Sequence, residues 1–171
     1  MDLKVFFLKQ KEAVRGRSIQ IFALLRPEDM GWKPEKGALS VGEMLRHLWV
    51  SEEGVHRAAL EGNFAYYEKR MPLGLGAVLG TVGSLEDELK DLERAHRETL
   101  EAVLACPATL FDEERVHEGL NFRRKVSVML FGINEHEVHH RAQLMTYLRM
   151  LGTPGPEPFQ RPEIHSARKP A

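Results

Sequence analysis

The sequence predicts an all-α protein, an antiparallel four-helix bundle with long crossover connections. Three observations carry that expectation. Four stretches repeat apolar residues at steps of three and four, the spacing of one helical face. Recognisable helix-start and helix-stop residues bracket those stretches. No run alternates apolar and polar residues long enough to read as a sheet.

The first helix is expected over about residues 2–25, with Leu3, Phe6, Phe7, Val14, Ile21, Phe22 and Leu25 on one side and Pro27 as its stop. Residues 26–39 form a Pro- and Gly-containing link. The second helix opens at Ser40-Val41-Gly42-Glu43, where Ser40 and Glu43 can satisfy each other's free amides as a capping box. It continues through Leu45, Leu48, Val55 and Ala59 to Gly62. Residues 62–83, with Phe64, Tyr66 and Tyr67, read as a long crossover able to act as a lid or wall. The third helix starts at Ser84, carries Asp87 and Glu88 near the positive end of its dipole, and closes at Cys106-Pro107. An extended stretch is expected over 108–124, and a fourth helix over about 125–151, stopped by Gly152-Thr153-Pro154. The bundle domain is thus expected over 1–153. The tail 154–171, with Pro154, Pro156, Pro158 and Pro162, is expected to be poorly ordered or wrapped over the surface.

Bulk properties narrow the function. The chain has 171 residues, 43% of them apolar and 29% charged, with a formal net charge of −1. That near-neutral balance argues against nucleic acid as a partner. No apolar run approaches the roughly 20 residues that span a bilayer, and the first residues lack a signal-peptide layout. The single cysteine, Cys106, allows no internal disulfide, and a cytoplasmic location is the expectation.

The most informative segment is His136-Glu137-Val138-His139-His140. The seam of the fourth helix runs Met129, Ile133, His136, His140, Leu144, Tyr147, Leu151, so two imidazoles stand where core residues belong. Buried imidazoles need a partner, and a pair four residues apart on a helix can present two nitrogens to one metal ion. His47, beside Met44, Leu48 and Ser51 in the second helix, supplies a third ligand and leaves positions open for water or substrate. His96 falls near the seam of the third helix and is a candidate to line the pocket or support the ligands. His139 lies on the helix shoulder. His56, His117 and His165 sit in polar contexts and read as surface residues.

The string His136-Glu137-x-x-His140 is also the zinc-protease pattern. A metzincin would need a third histidine six residues after His140, where Thr146 stands, with a glycine at the position of Gln143. A downstream acidic ligand would have to come from Glu157 or Glu163 in the Pro-rich tail. The protease reading is set aside on those grounds.

Ser40-Val41-Gly42-Glu43-Met44-Leu45-Arg46-His47-Leu48, followed about ninety residues later by Asn134-Glu135-His136-Glu137-Val138-His139-His140-Arg141-Ala142-Gln143-Leu144 and a closing Leu151-Gly152, resembles the DinB/YfiT-like superfamily. The resemblance runs from the first helix to Gly152. It implies a four-helix bundle, often dimeric, holding a divalent metal through three histidines, which by motif position are His47, His136 and His140. It also implies a choice of activities. Some members transfer or isomerise with a low-molecular-weight thiol such as bacillithiol, mycothiol or glutathione, and others have been proposed as metal-dependent hydrolases. Ala142 stands where the family commonly has glycine, away from the ligand positions.

A centre of three neutral imidazoles leaves the ion's charge undiminished, so it can lower the pKa of a thiol or of a water. The expectation is therefore a metal-dependent thiol S-transferase acting on a small electrophile. The alternatives are a hydrolase using activated water, or a non-enzymatic, stress-associated metal-binding bundle. Nickel, zinc, iron, cobalt and copper all suit imidazole ligation. Arg46, Arg123, Arg124 and Arg141 are candidates to bind charged ends of a thiol cofactor. Glu137 follows a ligand but points about 100° away around the helix, which weakens it as a direct base and leaves it a candidate to support the ligands or line the pocket; Glu43 and Gln143, a turn from His47 and His140, are candidates to orient the imidazoles. A homodimer is expected from the resemblance and from apolar surface at Phe6, Phe7 and Trp49.

Overall fold

The computed structural model describes residues 2–156. The elements are α1 (Leu3–Phe22), α2 (Val41–Glu61), α3 (Ala65–Leu73), α4 (Gly76–Leu79), α5 (Leu85–Ala105), β1 (Glu114–His117), β2 (Phe122–Lys125) and α6 (Val126–Met150). Both capping boxes form: Ser40 and Glu43 close the start of α2, and Ser84 and Asp87 close the start of α5. Gly62 ends α2 in the left-handed conformation at φ 71°, where an L side chain would be strained.

The four long helices make an all-α bundle in which α2 packs on α5 and α6, and α1 packs on α6 and α5. Side-chain pairings fix their directions. Lys11 meets Glu137 and Arg141 reaches the Val14 carbonyl, so α1 and α6 run the same way. Arg46 meets Glu88 and His56 meets Thr99, so α2 and α5 also run together. Leu45 clusters with Leu144 and Leu148, and Ala59 with Val126 and Leu130, which sets α2 opposite to α6. Two helices therefore point up and two down.

That topology explains the long connection. Parallel neighbours require the chain to return the full length of α2, about 32 Å at 1.5 Å per residue. Residues 62–84 make the return, and they include two short helices, α3 and α4, where the sequence indicated only a link. The stretch expected to be extended contains an antiparallel hairpin, Glu114 opposite Lys125 and His117 opposite Phe122. Its strands have four residues each, too short for alternation to show in the sequence.

The core divides in two. One apolar cluster gathers Phe7, Ala59, Phe111, Val126 and Leu130; the other gathers Ile21, Leu45, Leu92, Leu144 and Leu148. Between them lies a buried polar belt containing Lys11, Arg15, His47, Glu52, His56, His96, Thr99, Glu137 and His140. No helix among the described residues is long and apolar enough to cross a membrane. The expected tail lies outside the described residues from position 157 onward, as does His165.

Two surface expectations are corrected. Phe7 is fully buried, and Phe6 packs on Phe131. Trp49 donates its indole N–H to Glu88 at 2.8 Å and lies between Arg46 and Arg94. Phe7 thus leaves no apolar surface, and Phe6 and Trp49 stay half-buried against these partners. His56 is buried and bonded to Thr99 at 2.8 Å, and His117 is half-buried against Phe64 and bonded to Glu68. Both had read as surface residues because their sequence neighbours are polar.

Candidate metal centre

His47 comes from the buried face of α2, and His136 and His140 from successive turns of α6. Their nitrogens converge: His136 Nε2 lies 2.9 Å from His47 Nε2 and 3.1 Å from His140 Nε2. The three candidate ligand atoms all fall within 4.8 Å of one another. For metal–nitrogen bonds of about 2.0–2.1 Å, ligand nitrogens stand about 2.9 Å apart at right angles and about 3.3 Å apart in a tetrahedron. The two separations from His136 fit that range, and the three histidines together can hold a metal ion.

The protons support the same fit. Gln143 Oε1 lies 2.6 Å from His140 Nδ1. A carbonyl oxygen only accepts, so Nδ1 carries the proton and Nε2 turns its lone pair to the centre. His47 Nδ1 lies 3.0 Å from Ser51 Oγ, which lies 2.9 Å from Tyr66 Oη. This chain can take the Nδ1 proton of His47 in the same way. Burial, reinforced by His140, Arg70 and His139, holds His47 down to about 4. Burial, with His140 and His47, holds His136 down to about 3. His140 is lowered by burial and by His139, against the opposing Gln143 bond. Neutral imidazoles crowding their lone pairs at 3 Å call for a cation between them.

The other candidates fall elsewhere. Glu43 accepts the Ser40 amide at 2.7 Å, so its carboxylate caps α2 and does not turn to His47. Gln143 holds His140 as described. Glu137 points into the opposite side of the bundle. There its Oε2 lies 3.0 Å from Lys11 Nζ and 3.2 Å from Arg15 Nη2, and Glu52 Oε2 lies 2.8 and 2.9 Å from the same cations. Burial alone would raise the Glu137 carboxyl, but Lys11, Arg15 and Ser18 outweigh it and the net shift is downward. A carboxylate spent this way is not a protease base. His96 is buried beside this ion cluster, with Nε2 3.6 Å from Glu12, and does not line the cavity at the histidines. Cys106 bonds the Val103 carbonyl at the far end of α5.

A cavity of about 300 Å³ opens beside His136, walled by Val55, Tyr67, Met129 and Ile133 from the bundle and crossover. Tyr66 and Arg70 on α3 and Arg124 on β2 also line it. Of the arginines foreseen at the mouth only Arg124 is there; Arg46 is paired with Glu88, Arg123 with Glu114, and Arg141 with a carbonyl. Ser51 and Arg70 escaped the sequence reading of the site, whereas Tyr66 and Tyr67 stand on the crossover that was expected to form a lid or wall. Ser51 carries a usable signal, one turn after His47, whereas Tyr66 and Arg70 reach the site only through the path of the crossover.

Comparison with known proteins agrees with this architecture. The family model described as the DinB superfamily matches residues 10–144. Among solved structures, the DinB-like protein YjoA from Bacillus subtilis superposes with a TM-score of 0.69 at 18% identity, covering 91% of this chain and 98% of that one. No curated protein matches the sequence. The structural likeness speaks for the fold alone, and the family match, spanning most of the chain, speaks for descent. This chain belongs to the DinB superfamily.

Proposed function

We propose that this protein is a metal-dependent S-transferase that activates a small thiol at His47, His136 and His140 and delivers it to a small electrophile in the adjoining cavity. One observation carries the reading: three neutral histidines converge on a point that a cation would fill with positions to spare, while the nearest buried carboxylates are ion-paired or capping a helix. Glu52 and Glu137 are tied to Lys11 and Arg15, and Glu43 to a backbone amide. Hydrolysis needs a general base to take a proton from water. A thiol needs less help.

A bound divalent ion would lower the thiol's pKa and hold its sulfur ready for attack. The sulfur lone pair forms the new bond to the electrophilic carbon, the leaving group departs with its bonding pair, and the thiol proton passes to solvent. Ser51 and Gln143 keep the imidazoles in the tautomer that faces the centre. Val55, Tyr67, Met129 and Ile133 give the electrophile an apolar wall and keep water from it.

Hydrolysis is the second reading, and Glu135 favours it: this exposed carboxylate lines the cavity and has no ion-pair partner among the described residues. The test begins with elemental analysis of protein purified without an affinity tag, for wild type, His47→Ala and His140→Ala. About one metal per chain, lost in both variants with helicity retained, supports the centre. Conjugation of a thiol to 1-chloro-2,4-dinitrobenzene by the metal-loaded protein, unaffected by Glu135→Gln, supports the transferase. Ester hydrolysis abolished by Glu135→Gln supports the hydrolase instead. A homodimer belongs to the same proposal. Exposed Val5 and Ile19 on α1 and Leu104 on α5 support this face as its surface, and the solution mass of wild type against Ile19→Glu tests it.

A further inference from the structure

The cavity beside His136 is lopsided in charge. Arg70 enters from the crossover helix α3 and Arg124 from strand β2, and neither has a carboxylate partner among the described residues, although both line the same space. The neighbouring arginines are paired instead. Arg123, on the opposite face of β2, pairs with Glu114 at 2.6 Å, and Arg57 pairs with Glu53 at 2.6 Å. Aromatic rings support both free guanidiniums: Arg70 lies over Tyr66 at 5.9 Å, and Arg124 over Phe122 at 5.8 Å. Such stacking orients the planar fork while leaving its edge N–H groups to donate.

The charge count points the same way. Glu52 on the cavity wall is neutralised within the buried cluster with Lys11, Arg15 and Glu137, whose four charges cancel. Glu135 opposes one of the two free arginines. One positive charge remains on the wall, beside a centre whose three ligands contribute no negative charge. Val55, Met129 and Ile133 give the same cavity an apolar wall.

Resting on the S-transferase reading, we propose that Arg70 and Arg124 form an anion clamp, and that the thiol used at this centre carries a carboxylate at the far end of a short apolar linker. The carboxylate takes the edge N–H groups of the two guanidiniums, the linker lies along Val55 and Ile133, and the sulfur reaches the three histidines. A thiol with no anionic end forfeits two charge-assisted contacts and binds more weakly.

Cobalt-loaded protein tests this directly, because sulfur ligation gives a charge-transfer absorption that neither component shows alone. The probes are 3-mercaptopropionate and its methyl ester, titrated at low salt. The ester's thiol is the more acidic, so intrinsic acidity works against the expected order. The acid is expected to bind at least about tenfold more tightly than the ester, with the preference fading as salt rises. The double variant Arg70→Gln/Arg124→Gln is expected to lose that preference while retaining wild-type cobalt content and ester affinity. Absorption with both thiols at equal affinity overturns the clamp and leaves the S-transferase reading standing. No absorption with either thiol, on protein that holds cobalt, removes the S-transferase reading and the clamp together.

Discussion

Replacing Gly54 with alanine should loosen metal binding without touching a ligand. A Cβ built at Gly54 would lie 2.5 Å from Tyr66 Cβ and 2.7 Å from its Cδ2, and closer still to Cγ. Carbon atoms rest at about 3.5–4.0 Å, so the tyrosine must retreat by about 1–1.5 Å. Tyr66 Oη stands 2.9 Å from Ser51 Oγ, and adding about 1 Å takes the pair beyond hydrogen-bonding distance. Ser51 then holds His47 with one anchor fewer. A bond of this kind contributes about 0.5–1.5 kcal/mol, or roughly two- to twelvefold in affinity. Removing the direct partner, in Ser51→Ala, should cost about 10–100-fold. Alanine favours a helix interior over glycine by about 0.8–1 kcal/mol, but forcing Tyr66 aside at its Cβ and Cγ costs about 1–3 kcal/mol, so global stability should hold or fall slightly while affinity falls. Competition of zinc against a coloured chelator reads the affinity, and denaturant unfolding reads the stability. Tyr66→Phe provides the control, since it removes the same bond without crowding. Gly54→Ala and Tyr66→Phe at wild-type affinity would refute the idea that this chain orients His47. Loss in Gly54→Ala alone would place the effect in distortion of α2.

Three further outcomes are expected. Lys11→Met leaves two buried carboxylates sharing Arg15 and should destabilise the fold by about 3–5 kcal/mol; the added change Glu137→Gln should recover part of that, and urea unfolding of both variants checks it. Gln143→Ala frees the His140 ring and should weaken zinc binding by about 10–100-fold, measured by the same chelator competition with helicity unchanged. Metal-free protein should lose stability as pH falls. Folding lowers His47 from 6.5 to about 4 and His136 from 6.5 to about 3, so the unfolded chain binds more protons below pH 6.5. Their contribution is complete above that pH and declines by about 1.4 kcal/mol per unit for each histidine on the way down; denaturant midpoints from pH 7.5 to 4.5 would show it, and a flat profile would refute it.

The bundle was legible because the long helices announce themselves by period and caps: Ser40 with Glu43 and Ser84 with Asp87 mark starts that the structure places at the same residues. The three converging histidines were legible for a related reason, being polar residues at apolar spacing. The same signal stood unread in α1, where Phe7, Lys11, Val14, Ser18 and Ile21 step along one buried face, so Lys11 was a core residue in plain view. Period shows that a side chain is buried, but not which neighbour it meets, and Glu137 and His96 were therefore assigned to the wrong side of the belt. The crossover was legible as a lid or wall, but the residues by which it meets the site were not. Tyr66 and Arg70 sit on α3, which buries none of its residues, so they follow no core period. Their place depends on α2 and α5 running parallel.

That crossover separates two kinds of sequence constraint. The histidines, Ser51 and Gln143 stand on α2 and α6, where a substitution disturbs close-packed neighbours and the ion belt at once. Tyr66, Arg70 and the rest of the 62–84 segment stand on a strap held largely by its edges. Evolution can therefore rewrite this segment in length, charge and aromatic content while the bundle beneath keeps its fold and its three imidazoles. Two proteins of this architecture can share a reactive centre and yet choose unrelated molecules to present to it, with the difference written in one surface strap.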